Sequence, residues 1–207
     1  EIHEIDGRLT ILFMAGYGNT WSNGKSVYMQ LKQDADGHDL DPADPDNWTV
    51  PTPIYRNDAS LLNGNKQLAA TASGGVGMSL DMTYFQDADG RSYYAWQQLG
   101  ATYIATMDPK DPAHVTSSPV RIVTPEYAWN AAIAEGPNVT LRDGKLYLMF
   151  SGSGVGKTYT TGLAVADASG TDLTDPASWT VLNYPIQKSG PFNGEMQLGT
   201  GHGMWSE

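Results

Sequence analysis

Three segments of the chain repeat one another: HEIDGRLTILFMAG from His3, FQDADGRSYYAWQQ from Phe85 and TLRDGKLYLMFSGS from Thr140. Each carries an Asp-Gly pair, a polar residue and then an alternating run of aromatic and aliphatic side chains. Asp-Gly is a favoured two-residue hairpin turn, because both residues tolerate positive φ. A second set comes after the first: SVYMQLKQDADG from Ser26, ATYIATMDPKDP from Ala101 and TYTTGLAVADASG from Thr158. A third set closes each unit. DADGHDLDPADPDNWTV from Asp34 matches DASGTDLTDPASWTV from Asp167, with the looser DPKDPAHVTSSPVRIV from Asp108 between them. The unit is therefore strand, Asp-Gly turn, strand, strand, acidic loop, strand, three times over. Four antiparallel strands per unit, repeated radially, is the plan of a β-propeller blade. An irregular β-sandwich would explain the strands but not the matched Asp34 and Asp167 segments.

The rest of the chain agrees. Its 23 glycines and 12 prolines are scattered throughout, and with Asp, Asn and Ser they break it about every 8 to 12 residues. No long segment shows helical periodicity. The nearest candidate, YAWNAAIAE from Tyr127, is stopped at once by Gly136-Pro137. The expected fold is all-β: about three blades, over residues 1–60, 75–125 and 131–188, with the start of a fourth at 196. Three blades and a start do not close a ring. Residues 1–207 are thus expected to be part of a larger propeller, completed by further segments of the protein or by a partner chain.

Composition limits the partners. The net charge is −11, with 23 acidic against 12 basic residues, and this repels phosphate backbones and anionic lipid. Neither nucleic acid nor a membrane is expected as a partner, and no apolar run is long enough for a spanning helix. With no cysteine, disulfides, thiolate metal sites and a cysteine nucleophile are excluded. SGSGVGKT, from Ser151 to Thr158, approaches a phosphate-binding loop, but Ser151 stands where the first glycine belongs and a strand comes next where a helix is required. It reads as a glycine-rich hairpin loop. The DADG runs at Asp34 and Asp87 lack the full ligand set of a calcium loop and read as turns.

The innermost strand of each unit, just before the Asp-Gly turn, faces a propeller's axis. There the sequence places Glu1-Ile2-His3, then Asp81 within SLDMTYF, Glu135 within IAEGPN, and His202 within GTGHGMW. Charged residues in strand-forming surroundings are rare unless paired or functional. Two acids and a histidine at equivalent inner positions would line a funnel.

These segments carry a resemblance. SLDMTYFQDADGRSYYAW, IAEGPNVTLRDGKLYLMFSGS and GTGHGMW resemble, in order, three motifs of glycoside hydrolase family 43, and EIHEIDGRLTILFMAG is similar to the segment after that family's Trp-Ala-Pro. TPEYAWN at Thr124 and the strand at Tyr159 point to its arabinofuranosidase-like branch. The resemblance implies a five-bladed propeller that hydrolyses arabinose or xylose linkages with inversion, α-L-arabinofuranosidase first, with β-xylosidase, endo-arabinanase or a non-catalytic glycan-binding propeller as alternatives. It implies Glu135 as general acid and Asp81 as the carboxylate that tunes and orients it. His202 would lie on the axis near a calcium ion or water, with no cofactor required for the chemistry. The family's base, an Asp upstream of Trp-Ala-Pro, has no match in residues 1–207. Inversion needs an acid and a base about 6.5–9.5 Å apart. The acid must hold a proton near neutrality, which Asp81 beside Glu135 would promote. Trp96, Tyr127, Trp129 and Trp205 are the candidate sugar-stacking surfaces, although aromatics in strands more often fill cores.

Overall fold

The computed structural model describes residues 1–16, 24–60, 62 and 78–206. The expected start of the second unit near residue 75 lies outside them. The first sheet is an antiparallel meander of β1 (Ile2–Ile5), β2 (Arg8–Gly16), β3 (Gly24–Gln30) and β4 (Thr52–Pro53), paired in that order. The third repeats it with β10 (Ala134–Arg142), β11 (Lys145–Gly152), β12 (Thr160–Asp167) and β13 (Thr180–Val181). Between them lie β5 (Leu80–Gln86), β6 (Ser92–Gln98) and β7 (Ala101–Asp108), and β7 pairs with both β8 (Asp111–Val115) and β9 (Val120–Val123). A hairpin of β14 (Gly190–Phe192) and β15 (Glu195–Gln197) comes last. Among the described residues, helix is confined to single 3₁₀ turns at Pro45–Asn47, Ala128–Asn130 and Pro176–Ser178. The three meanders are consecutive blades of a β-propeller.

Local chemistry explains the repeat. Asp6-Gly7 and Asp143-Gly144 close the first and third inner hairpins with both residues at positive φ, as expected for a two-residue turn. The middle unit departs from this. Its strands part at Gln86 and Ser92, and only Gly90 takes positive φ. The loop is wound instead around the buried carboxylate of Asp87, which accepts from the backbone N–H of Asp89 and Arg91, from Arg91 Nε at 2.7 Å and from the Tyr93 hydroxyl at 3.0 Å. In the matched acidic loops, Asp44 and Asp175 cap their 3₁₀ turns, and Trp48 and Trp179 each donate Nε1 to the carbonyl six residues back.

β6 shows how neighbouring blades adhere. It is buried along its whole length, with alternate residues serving opposite cores. Tyr93 and Ala95 join Leu146, Leu148, Phe150 and Ala164 of the third sheet, whereas Tyr94 and Trp96 join Ile5, Leu12, Ile54 and Met107 on the first-sheet side. A fully buried side chain of this size contributes roughly 1.5–3 kcal/mol, so the sheets make a stiff frame for whatever their inner strands carry.

Candidate active site

Inner strands β5 and β10 each contain one extra residue at the same place. Leu80 pairs with Gln97 and Thr83 with Ala95; Glu135 pairs with Ser151 and Asn138 with Met149. Two residues thus oppose one in both sheets, which defines a bulge, a device that bends a strand and re-aims its side chains. In each bulge one residue is left-handed: Asp81 at φ 55° and Gly136 at φ 57°. His202, beyond β15, is left-handed as well, at φ 59°. Asp is among the few non-glycine residues that adopt this conformation at modest cost. The register corrects the expectation of equivalent positions. Asp81 is the counterpart of Gly136, and Glu135 stands one residue earlier, at the place of Leu80. Glu1 pairs with Leu12 and so matches Asn138, beyond the position of either acid.

The bulges bring the expected acids together. Asp81, Glu135 and His202 line one cavity of about 350 Å³ with Met14, Leu80, Val155 and Tyr159. The Gly136 N–H donates to Asp81 Oδ2 at 3.1 Å, tying the peptide after Glu135 to the neighbouring carboxylate. The Tyr159 hydroxyl donates to Glu135 Oε1 at 2.5 Å and lies 3.3 Å from His202 Nδ1. The His202 N–H donates to the Ser151 hydroxyl at 2.5 Å. A side chain on Gly136 would sit 3.1 Å from His202 Nδ1, so both the left-handed turn and the close approach call for glycine. Glu1 accepts from Asn138 Nδ2 and faces His3 Nε2, both at 2.9 Å.

The raised carboxyl pKa falls on Asp81. Burial pushes it from 3.8 to about 6; the Glu135 and Glu1 charges add to the rise, and His202 and the Gly136 N–H offset part of it. Burial, together with the bond to Glu135, pushes the Tyr159 hydroxyl up, so it stays a donor at any working pH. Glu1 is held below its usual value: burial opposes this, but His3 and Asn138 outweigh it.

The aromatic expectations part company here. Trp96 is fully buried between the first two sheets, stacked on Tyr103 with its Nε1 on Gln98, and offers no face to a sugar. Tyr127 and Trp129 stack on each other; Trp129 packs over Gly152 and Gly162 and donates Nε1 to the Asn183 carbonyl. Trp205 lines a separate cavity of about 560 Å³ with Tyr147 and Arg142. The expected calcium at His202 also lacks support in the donor set. Calcium takes six to eight oxygen ligands, whereas His202 offers one nitrogen and its Nδ1 faces the Tyr159 hydroxyl. Among the described residues, only Asp34, Asp36 and His38 bring three ionisable ligand atoms within 4.8 Å, and these form an exposed turn closed by Asp34. Among the described residues, no group of three ionisable ligand atoms of that kind forms at His202. Tyr159, Ser151 and Val155, by contrast, were not among the expected site residues. Val155 comes from the glycine-rich hairpin loop, which here forms one lip of the cavity.

Known proteins share this architecture. Over 98% of its length the chain is 27% identical to an extracellular exo-alpha-(1->5)-L-arabinofuranosidase of Streptomyces avermitilis, covering 38% of that protein. Over 60% of its length it is 33% identical to the enzyme of the same name from Streptomyces chartreusis, covering 39% of it. The crystal structure of alpha-L-arabinofuranosidase from Lactobacillus brevis superposes on 99% of the chain with a TM-score of 0.74 at 25% identity, and the match covers 59% of that structure. The chain therefore spans under half the length of these curated relatives. Residues 64–207 match the model of glycosyl hydrolases family 43, and they include both acids and His202: the chain belongs to that family.

Proposed function

We propose that the protein carrying this chain is an inverting glycoside hydrolase of arabinose-containing glycans, an α-L-arabinofuranosidase, with Glu135 as general acid. One observation carries this reading: two inner-strand bulges deliver Asp81 and Glu135 to the same cavity, hydrogen-bonded to each other's surroundings through the Gly136 N–H. Glu135 protonates the leaving oxygen. Asp81 anchors the peptide beside it through the Gly136 N–H, and burial holds its own pKa up at about 6. A carboxylate base would activate water from the opposite side of the sugar. We leave Glu1 out of that role, since its carboxylate is engaged by His3 and Asn138. We assign the base to a further segment of the protein, which would also cover Phe192, Met196, Leu198 and Met204, exposed on and beyond the last hairpin. Hydrolysis by paired carboxylates draws on no cofactor.

The arabinofuranosidases among the relatives support arabinose as the sugar. The test is hydrolysis of arabino-oligosaccharides by the intact protein and its Glu135→Gln variant. The wild type should release arabinose, and the variant should lose at least ~100-fold in kcat, the lower range for a general acid, while still binding the sugar. Binding without turnover by the wild type would favour a glycan-binding propeller instead.

A further inference from the structure

Tyr159 lies at the head of β12, beyond the glycine-rich loop. It is buried and locked from several sides. Its N–H donates to the Gly156 carbonyl at 3.1 Å, its carbonyl accepts from Thr200 N–H at 2.9 Å, and its ring lies against Gly201, where an added Cβ would clash with Cδ1. So fixed, its hydroxyl lies 2.5 Å from Glu135 Oε1 and 3.3 Å from His202 Nδ1, with the Ser151 hydroxyl also beside it. A phenol has one hydrogen to give, and the shorter contact takes it. The oxygen that accepts it is a poor place for a second hydrogen. A protonated Glu135 therefore carries its proton on Oε2.

We propose that Tyr159 is the positioning residue of the general acid: it pins Glu135 Oε1, leaves Oε2 as the proton-donating oxygen and sets the strength of the acid. This rests on the assignment of Glu135 above. A hydrogen bond to the charged form favours that form, so Tyr159 makes Glu135 a stronger acid, readier to release its proton to the leaving oxygen. Among the described residues, the other ionisable groups facing the pair are Asp81 from β5 and His202 from the segment after β15, with the Glu1 charge acting on Asp81. None of them donates to Glu135 Oε1 in the tyrosine's place.

The experiment compares pH profiles of kcat/KM for the intact protein, Tyr159→Phe and a protein with 3-fluorotyrosine at position 159, with Glu135→Gln run alongside on the same arabino-oligosaccharide. The alkaline limb reports loss of the acid's proton. Removing the donor should move that limb up by roughly one pH unit and lower kcat on the order of 10-fold with KM nearly unchanged, the scale of one hydrogen bond to a charged group. The fluorinated ring, a stronger donor, should move it down. If Glu135→Gln is inactive while both tyrosine substitutions leave the limb in place, with or without loss of rate, Tyr159 is only a packing residue and the inference is wrong. If Glu135→Gln keeps wild-type turnover, the acid assignment itself falls, whatever Tyr159 does.

Discussion

Asp81→Asn should make the protein more stable at neutral pH and less active. The Asp81 carboxyl has a pKa of about 6 in the folded protein against 3.8 in the reference state. Well below pH 3.8 it is protonated whether the chain is folded or not, and no penalty exists. As pH rises from about 4 to 6 the unfolded chain releases its proton first, and each unit removes ~1.4 kcal/mol of stability. Above pH 6 both states are ionised and the loss levels off at about 3 kcal/mol. Asn has the same shape and no charge, and its Oδ1 can keep the bond from the Gly136 N–H, so the variant should avoid this loss. Guanidinium or thermal unfolding of both proteins from pH 4 to 8 would show it. The curves should lie close together near pH 4, diverge up to pH 6 and then run parallel, with Tm at pH 7 raised by roughly 2–4 °C per kcal/mol recovered, as for a chain of this size. A variant no more stable than wild type at pH 7, or a difference independent of pH, would refute the claim that Asp81 is held against its preferred ionisation. Activity should fall in the same variant, because stability lost at a site is commonly what its function requires.

Gly136→Ala should cost roughly 1–2 kcal/mol from the left-handed backbone alone and, by crowding His202 Nδ1, reduce turnover; denaturant melts and kcat measured together check both. Trp96→Ala should cost about 3–5 kcal/mol and leave KM for oligosaccharide unchanged at temperatures where the variant is folded, whereas a large rise in KM would return Trp96 to the sugar.

The fold was legible because its information is local and periodic. Asp6-Gly7 and Asp143-Gly144 dictate their turns through backbone preference alone, and the paired Trp48 and Trp179 segments build the same capped turn twice. Where a tertiary contact intervenes, that legibility ends. The middle Asp-Gly loop is shaped by a buried carboxylate, Asp87, whose burial no neighbour in sequence announces. The acids were found from their residue types and surroundings, but their offset was not, because a bulge shifts the register by one without leaving a residue signature in β5. Trp96 and Trp205 illustrate the limit for aromatics: residue type is the same in both, and only the packing tells a core ring from a surface one. Tyr159 was invisible as a partner of Glu135 because 24 positions and a glycine-rich loop separate them.

The central claim, that Glu135 donates the proton to the leaving group, is tested most directly by a leaving-group series. Rates of the intact protein and of Glu135→Gln would be measured on aryl α-L-arabinofuranosides whose phenols span several pKa units. Wild-type rates should depend weakly on leaving-group pKa, since the acid supplies the proton. The variant should show a steep dependence, nearly matching wild type for the most acidic phenols and falling by orders of magnitude for the least. Parallel lines for the two proteins would contradict the assignment.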